Sequence, residues 1–208
     1  MGKAETTKGA LLDAAMKVIG HHGYSGATVD DIARAAGVSK GNVYYHFKTK
    51  ADIATSVLVQ GCQNLMVMLR DAAKRGENTP SALLIMIHRF AHEIFENREF
   101  SRFLLTELWR DDRLWTEEMR KQEEELLHII ELQIERGVAE GTIRDSIDTR
   151  FAAVAITGTV LVAAQYYLMN DPGEGEREFI AHIVDYAGHA LSANVIVTDS
   201  IDAGFPTV

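Results

Sequence analysis

The segment Thr28–Lys50, TVDDIARAAGVSKGNVYYHFKTK, constrains this chain more tightly than any other stretch. Thr28 is an N-cap residue, and Asp31 three positions later supplies the reciprocal half of a short capping box. Val29, Ile32, Ala33 and Ala36 recur at helical spacing and predict a short amphipathic helix. Gly37 falls where that helix must stop, because glycine accepts a left-handed backbone at little cost. Ser39 then caps a second helix whose inward positions are Val43 and Phe47. Two short helices joined this closely cross steeply, and Ala33 is small where they come nearest. That is the helix-turn-helix arrangement, which carries its second helix into the major groove of DNA.

The outward face of the second helix offers Ser39, Lys40, Gly41, Asn42, Tyr44, Tyr45 and His46, with Lys48 and Lys50 following. Donors, flat rings and cations on one face are an unusual dress for a merely solvated helix. Asn42 and Lys40 are the expected readers of base edges, since Asn pairs with adenine and Lys with guanine in the major groove. Tyr44 and Tyr45 offer a hydroxyl to phosphate or a ring to a thymine methyl, and His46 stands between base and phosphate. Thr28, Lys48 and Lys50 are expected to hold the flanking phosphates.

With those residues in place, the chain resembles the TetR family of bacterial transcriptional regulators. The likeness rests on Gly23-Tyr24, Thr28 to Ala33, Ala36 to Gly41 and Tyr44 to Lys50, and it is close over roughly residues 7 to 53. Beyond that it is only a succession of helices. The resemblance implies an all-α fold of about nine helices. A DNA-binding domain would span residues 1–52, and a ligand-binding and dimerisation domain residues 53–208.

The net charge of −9 suits a DNA binder only when it is divided along the chain. Residues 1–50 hold seven Lys/Arg against four Asp/Glu, a net +3; the rest hold fourteen against twenty-six, a net −12. The basic end would dock on phosphate while the acidic body is repelled from it, although acidic residues also simply keep a body soluble. One cysteine, Cys62, excludes an internal disulfide and fits a reducing, cytoplasmic setting. Its neighbours Gly61 and Gln63 supply no cation, so it reads as a structural thiol. Asp13 and Lys17 interrupt Leu11–Ile19, which therefore does not read as a signal peptide.

Helical spacing continues along the chain. Thr7–His22 forms an opening helix that ends at Gly20–Gly23, with Tyr24 plugging the small three-helix unit. Thr49 and Asp52 begin a long helix running toward Lys74. Pro80 opens the helix that carries Leu83–Phe95, and Glu99–Trp109 forms the next. A charged corner at Arg110–Arg113 leads to a helix from about Leu114 to Glu140, stopped by Gly141. Asp148 caps a following helix closed by Asp171-Pro172-Gly173, and Glu176 to about Ala193 makes the last. The tail from Asn194 to Val208 has no periodicity.

Phe151–Met169 contains no charge in nineteen residues, the length of a membrane span. Thr157, Gly158, Thr159 and Gln165 point instead to a helix covered on both faces in a soluble assembly. The family's last two long helices pair with their mates in a homodimer, so the resemblance assigns Ala155, Gly158, Val162, Ile183, Tyr186 and Ala187 to that interface.

His88 and His92 stand one turn apart with Glu96 beyond them, but no fixed-spacing metal motif is completed and no metal is expected. Phosphate loops, nucleophile elbows and zinc-protease motifs are absent, so neither an enzyme nor a cofactor is expected. Aromatic and methionine side chains gather between residues 86 and 119, mostly as core. The family's middle helices enclose a ligand cavity, and the resemblance nominates Met86, Phe90, Phe103, Trp109 and Met119 to line it. The resulting expectation is a homodimeric repressor that binds a double-stranded DNA operator and is released by a largely apolar small molecule. A TetR-like protein acting on another regulator, or an α-helical enzyme using the body's cavity, are the other readings.

Overall fold

The computed structural model describes residues 3–108, 117–170, 173 and 175–192. Among them the chain forms α1 (Lys3–Gly26), α2 (Val29–Ala35), α3 (Lys40–His46), α4 (Lys50–Arg75) and α5 (Thr79–Glu96). These are followed by α6 (Arg98–Leu108), α7 (Glu117–Ala139), α8 (Thr149–Asn170) and α9 (Glu176–Leu191). The fold is all-α, as expected. The strand-like pairing among the described residues is one isolated antiparallel bridge, Ile143 with Ser192. Trp109, Trp115, the corner at Arg110–Arg113, Asp171-Pro172 and the tail from Asn194 lie outside the described residues.

Local chemistry sets the boundaries. α1 runs past the expected His22, yet Gly23 sits at φ 69°, ψ 166° and breaks its regular winding there. At the start of α4, Thr49 Oγ1 accepts the Asp52 N–H at 3.0 Å and Asp52 accepts the Thr49 N–H at 2.9 Å. Asn78 caps α5 by accepting the Ser81 N–H at 3.0 Å, with Pro80 in the first turn where its missing donor costs nothing. Asp148 accepts the Phe151 N–H at 2.8 Å and so starts α8.

Four apolar cores join these helices. The first unites α1 to α4 around Leu11, Ile19, Ile32, Val43, Phe47 and Val57 and also takes in Phe103 and Met119 from the body. Ile53, Ala54, Val57 and Leu58 of α4 belong to it, so the boundary expected at residue 52 falls within a continuous core. The second packs α5, α6, α8 and α9 through Ile94, Leu105, Tyr167, Leu168, Phe179 and Ile183. The third joins α4, α5 and α7 at Met66, Leu69, Met86 and Ile129. The fourth closes the far end with Ile134, Ile143, Ala153 and Leu191. Cys62 packs against the first and third cores, and burial pushes its thiol up to about 11, as befits an inert structural side chain.

α6 ties the DNA-proximal helices to the body. The Phe100 ring lies so close to Gly61 of α4 that any Cβ there would collide with it. Farther along, the Arg102 guanidinium donates to the Leu168 carbonyl of α8 at 2.5 Å.

Candidate DNA-binding surface and ligand cavity

The helix-turn-helix is built by three local devices. Thr28 Oγ1 accepts the Asp31 N–H at 3.1 Å and donates to Asp31 Oδ2 at 2.5 Å. That hydroxyl, more than the neighbouring Arg34, holds the Asp31 carboxyl below its ordinary range. Gly37 stands at φ 67°, a conformation that costs a residue with a Cβ. Its N–H reaches the Arg34 carbonyl at 3.2 Å, and the Val38 N–H reaches Ala33 at 3.0 Å. This pairing of the last helical carbonyls is a Schellman turn. Ser39 then accepts the Asn42 N–H at 3.3 Å and launches α3.

α3 is pinned by Val43 and Phe47, both buried as expected. Gly41, Asn42, Tyr44 and Tyr45 face outward, and Tyr45 is 81% exposed, which leaves most of its apolar ring in water. His46 is half-buried and meets Tyr45 edge-on with ring centres 5.1 Å apart. Lys48 is exposed. Lys40 is exposed too, but its ammonium pairs with Asp30 of α2 at 2.9 Å, and that carboxylate raises its pKa.

Lys50 departs from its expected role. Its ammonium donates to the Tyr24 carbonyl at 2.8 Å and to the Ala27 carbonyl at 3.1 Å, and it lies 4.5 Å from the centre of the Tyr24 ring. These contacts bind the end of α1 to the start of α4, so Lys50 is committed to the fold rather than presented to phosphate. Thr28 is exposed, but both hydrogen-bonding functions of its hydroxyl serve the cap.

The body encloses a cavity of about 320 Å³, in the range of small-molecule sites. Of the five nominated lining residues, Met86 and Phe90 are in its wall. Phe103 and Met119 are not: they are buried in the first core against the DNA-proximal helices. Trp109 lies outside the described residues. The rest of the wall comes mainly from α5, α8 and α9, including Leu83, Ile87, Val160, Leu161, Val184 and Leu191, the last two helices being those expected to pair in the dimer. Among the described residues, no charged side chain lines the cavity.

α8 has two apolar faces. Ala152, Ala153, Ala164, Tyr167 and Leu168 are buried inside the chain. Phe151, Val154, Val162, Tyr166 and Met169 form an outer stripe, with Phe151 71% exposed and Tyr166 55%. Ala155 and Gly158 fall on that stripe, and Tyr186 of α9 is exposed. By contrast Ile183 and Ala187, also nominated for an interface, turn inward: Ile183 joins the second core and Ala187 lines the cavity. α8 is long and apolar enough to cross a membrane by length and composition alone. His88 and His92 are exposed, and His92 lies 3.6 Å from Glu176. Among the described residues no three His, Cys, Asp or Glu side chains converge on a metal position.

Comparison with known proteins agrees with this architecture. Residues 11–57 match the family described as bacterial regulatory proteins, tetR family. A fatty acid metabolism regulator protein of Bacillus subtilis is 25% identical over 161 residues, covering 77% of this chain and 83% of the relative. The fatty acid degradation regulator FadR of Bacillus halodurans superposes with a TM-score of 0.74 at 25% identity, over 88% of this chain and 98% of that one. FadR of Bacillus subtilis, solved in complex with stearoyl-CoA, shares the fold with a TM-score of 0.78 at 22% identity, with the same coverage. These relatives are transcriptional regulators rather than enzymes, and with the helix-turn-helix described above they place the chain in the TetR family of bacterial transcriptional regulators.

Proposed function

We propose that this regulator is a cytoplasmic homodimeric repressor, released from a palindromic operator when an apolar ligand fills its body. The observation that carries the reading is the outer face of α3, where Asn42, Tyr44 and Tyr45 stand exposed on a rigidly capped helix at the basic end of an otherwise acidic chain. Asn42 and Lys40 would address base edges, and Ser39, Gly41, Tyr44, Tyr45, His46 and Lys48 the neighbouring backbone and thymine methyls. Lys40 must exchange Asp30 for DNA to do so, and the negative field of the duplex supplies the drive.

Dimerisation through α8 is supported by the outer stripe, since a row of exposed apolar residues with alanine and glycine between them favours close approach of a second helix. A two-fold dimer reads half-sites about 34–36 Å apart or a multiple of that. For the ligand, the uncharged wall of the cavity supports a long hydrocarbon chain. The names of the related fatty acid regulators, and the stearoyl-CoA bound to one of them, point the same way.

Selection from random duplexes tests the reading. A pseudo-palindrome should be recovered, and Asn42→Ala should relax preference at one position of each half-site at a cost of about 1–3 kcal/mol. Failure to enrich any duplex, with the protein folded, would leave a role in binding another regulator as the better account.

A further inference from the structure

The cavity is walled unevenly, and that unevenness assigns an orientation to whatever fills it. Most of its lining residues are buried or half-buried, including Leu69 and Met86. Its exposed members are Pro80 and Leu84 early in α5, Val184 and Gly188 late in α9, and Thr142 on the connector before α8. α5 and α9 run antiparallel: His92, late in α5, meets Glu176 at the start of α9, while Leu84 and Val184 share the wall farther along. Four of the five exposed members therefore flank the seam between the two helices, with Thr142 on the connector. That seam is formed by α5 and α9, whereas the outer stripe lies on α8.

The polar members of the wall are Thr79, Thr142, Thr157 and Ser192, and three of these gather where the start of α5, the connector and the end of α9 meet. Toward Phe90, Leu161, Leu126 and Leu69 the wall is hydrocarbon. A charged or strongly hydrated group carried inward would lose its water with no ion to replace it. Resting on the reading of this cavity as the ligand site, we propose that the α5–α9 seam is its mouth. The ligand is a single-tailed amphiphile that goes in tail first and leaves its head in water beside Pro80, Thr142 and Gly188. Chain length, and not the charge of the head, then sets affinity.

Gly188 makes the idea testable. It is exposed in α9 on the cavity wall, and a Cβ built on it meets nothing within 4 Å, so a side chain can be added at the seam without an immediate clash. Acyl-carnitines of 8, 10 and 12 carbons, which are zwitterionic, and the matching acyl-coenzyme A thioesters, which are anionic, are titrated calorimetrically into the full chain. Both series should gain about fourfold in affinity per added methylene, and exchanging the head at fixed length should change affinity by less than about tenfold, one decade of Kd. Gly188→Trp should weaken every member by at least about thirtyfold, roughly the gain from two to three methylenes, with helicity and duplex binding retained. Gly188→Ala, with a side chain too small to block, should bind like the original.

Wild-type-like binding by a folded Gly188→Trp would overturn the mouth. Strong preference for one head, or affinity independent of chain length, would overturn the orientation. If no acyl compound binds the unmodified protein at all, it is the cavity's role as an acyl-ligand site that fails.

Discussion

Lys48 and Lys50 stand two residues apart after α3, yet the fold gives them opposite duties. Lys48 is exposed, while Lys50 spends its ammonium on the Tyr24 and Ala27 carbonyls and the Tyr24 ring. Lys48→Ala should therefore lower the slope of log affinity against log salt by about one per protomer contact, equally for all duplexes. Lys50→Ala should leave that slope unchanged and instead destabilise the protein by about 1–3 kcal/mol, because two carbonyls lose a charged donor. Thermal melts and salt titrations of both variants separate the roles, and a reduced slope for Lys50→Ala would return it to the phosphate surface. The caps at Thr28, Ser39 and Thr49 and the turn at Gly37 were legible in the sequence because each partner lies within a few residues. The carbonyl contacts of Lys50 were not legible because its acceptors lie more than twenty positions upstream and converge only once α1 has packed on α4.

At the scale of elements, helix periodicity located every described helix, since caps and stop signals act locally. It could not say which neighbour each apolar face meets. Phe103 is as apolar as Phe90, but α6 wedges against α1 and α4 and so delivers Phe103 to the first core, while α5, α8 and α9 supply most of the cavity wall. Likewise α8, apolar all round, gave no phase from which to tell inner from outer faces. One junction between elements carries a clear pH signature. Glu140, just beyond α7, accepts the Thr79 N–H at the start of α5 at 2.7 Å and the Arg136 Nε–H at 2.7 Å. The backbone donor first, and Arg136 after it, hold its carboxyl below the ordinary range. A carboxyl depressed in the folded state contributes stability that is complete above its unfolded pKa and is lost as pH falls through the folded one. Glu140→Gln should thus reduce stability near neutrality and shrink the difference from the original protein as pH is lowered below the carboxylate range. A difference that stays constant across that range would show that the charge of Glu140 contributes nothing.

Across the whole molecule, the proposed dimer stripe and the cavity occupy opposite faces of one helix, so α8 would feel both ligand and mate. α6 bridges α8 to Gly61 of α4 through Arg102 and Phe100, a contiguous path from the body to the helix that follows the DNA-binding unit. Gly158→Arg places a charge on the outer stripe where nothing lies within 4 Å of a new Cβ, so the single chain should fold normally. Its dimer should dissociate, and operator binding should fall with it, because each half-site alone holds only half the contacts. Sedimentation together with duplex binding checks this; a dimeric Gly158→Arg that still binds its operator would place the interface elsewhere.

Regulation by a ligand requires that the ligand prefer the form that does not bind DNA, and a swing from 1:99 to 99:1 takes about 5.5 kcal/mol of preference. Linkage makes that preference reciprocal. The most direct measurement is therefore the affinity of a 12-carbon acyl compound for the protein, free and saturated with its selected duplex. The duplex should weaken acyl binding by the same factor by which the acyl compound weakens duplex binding. Equal acyl affinities in the two titrations, with both partners bound at once, would contradict it.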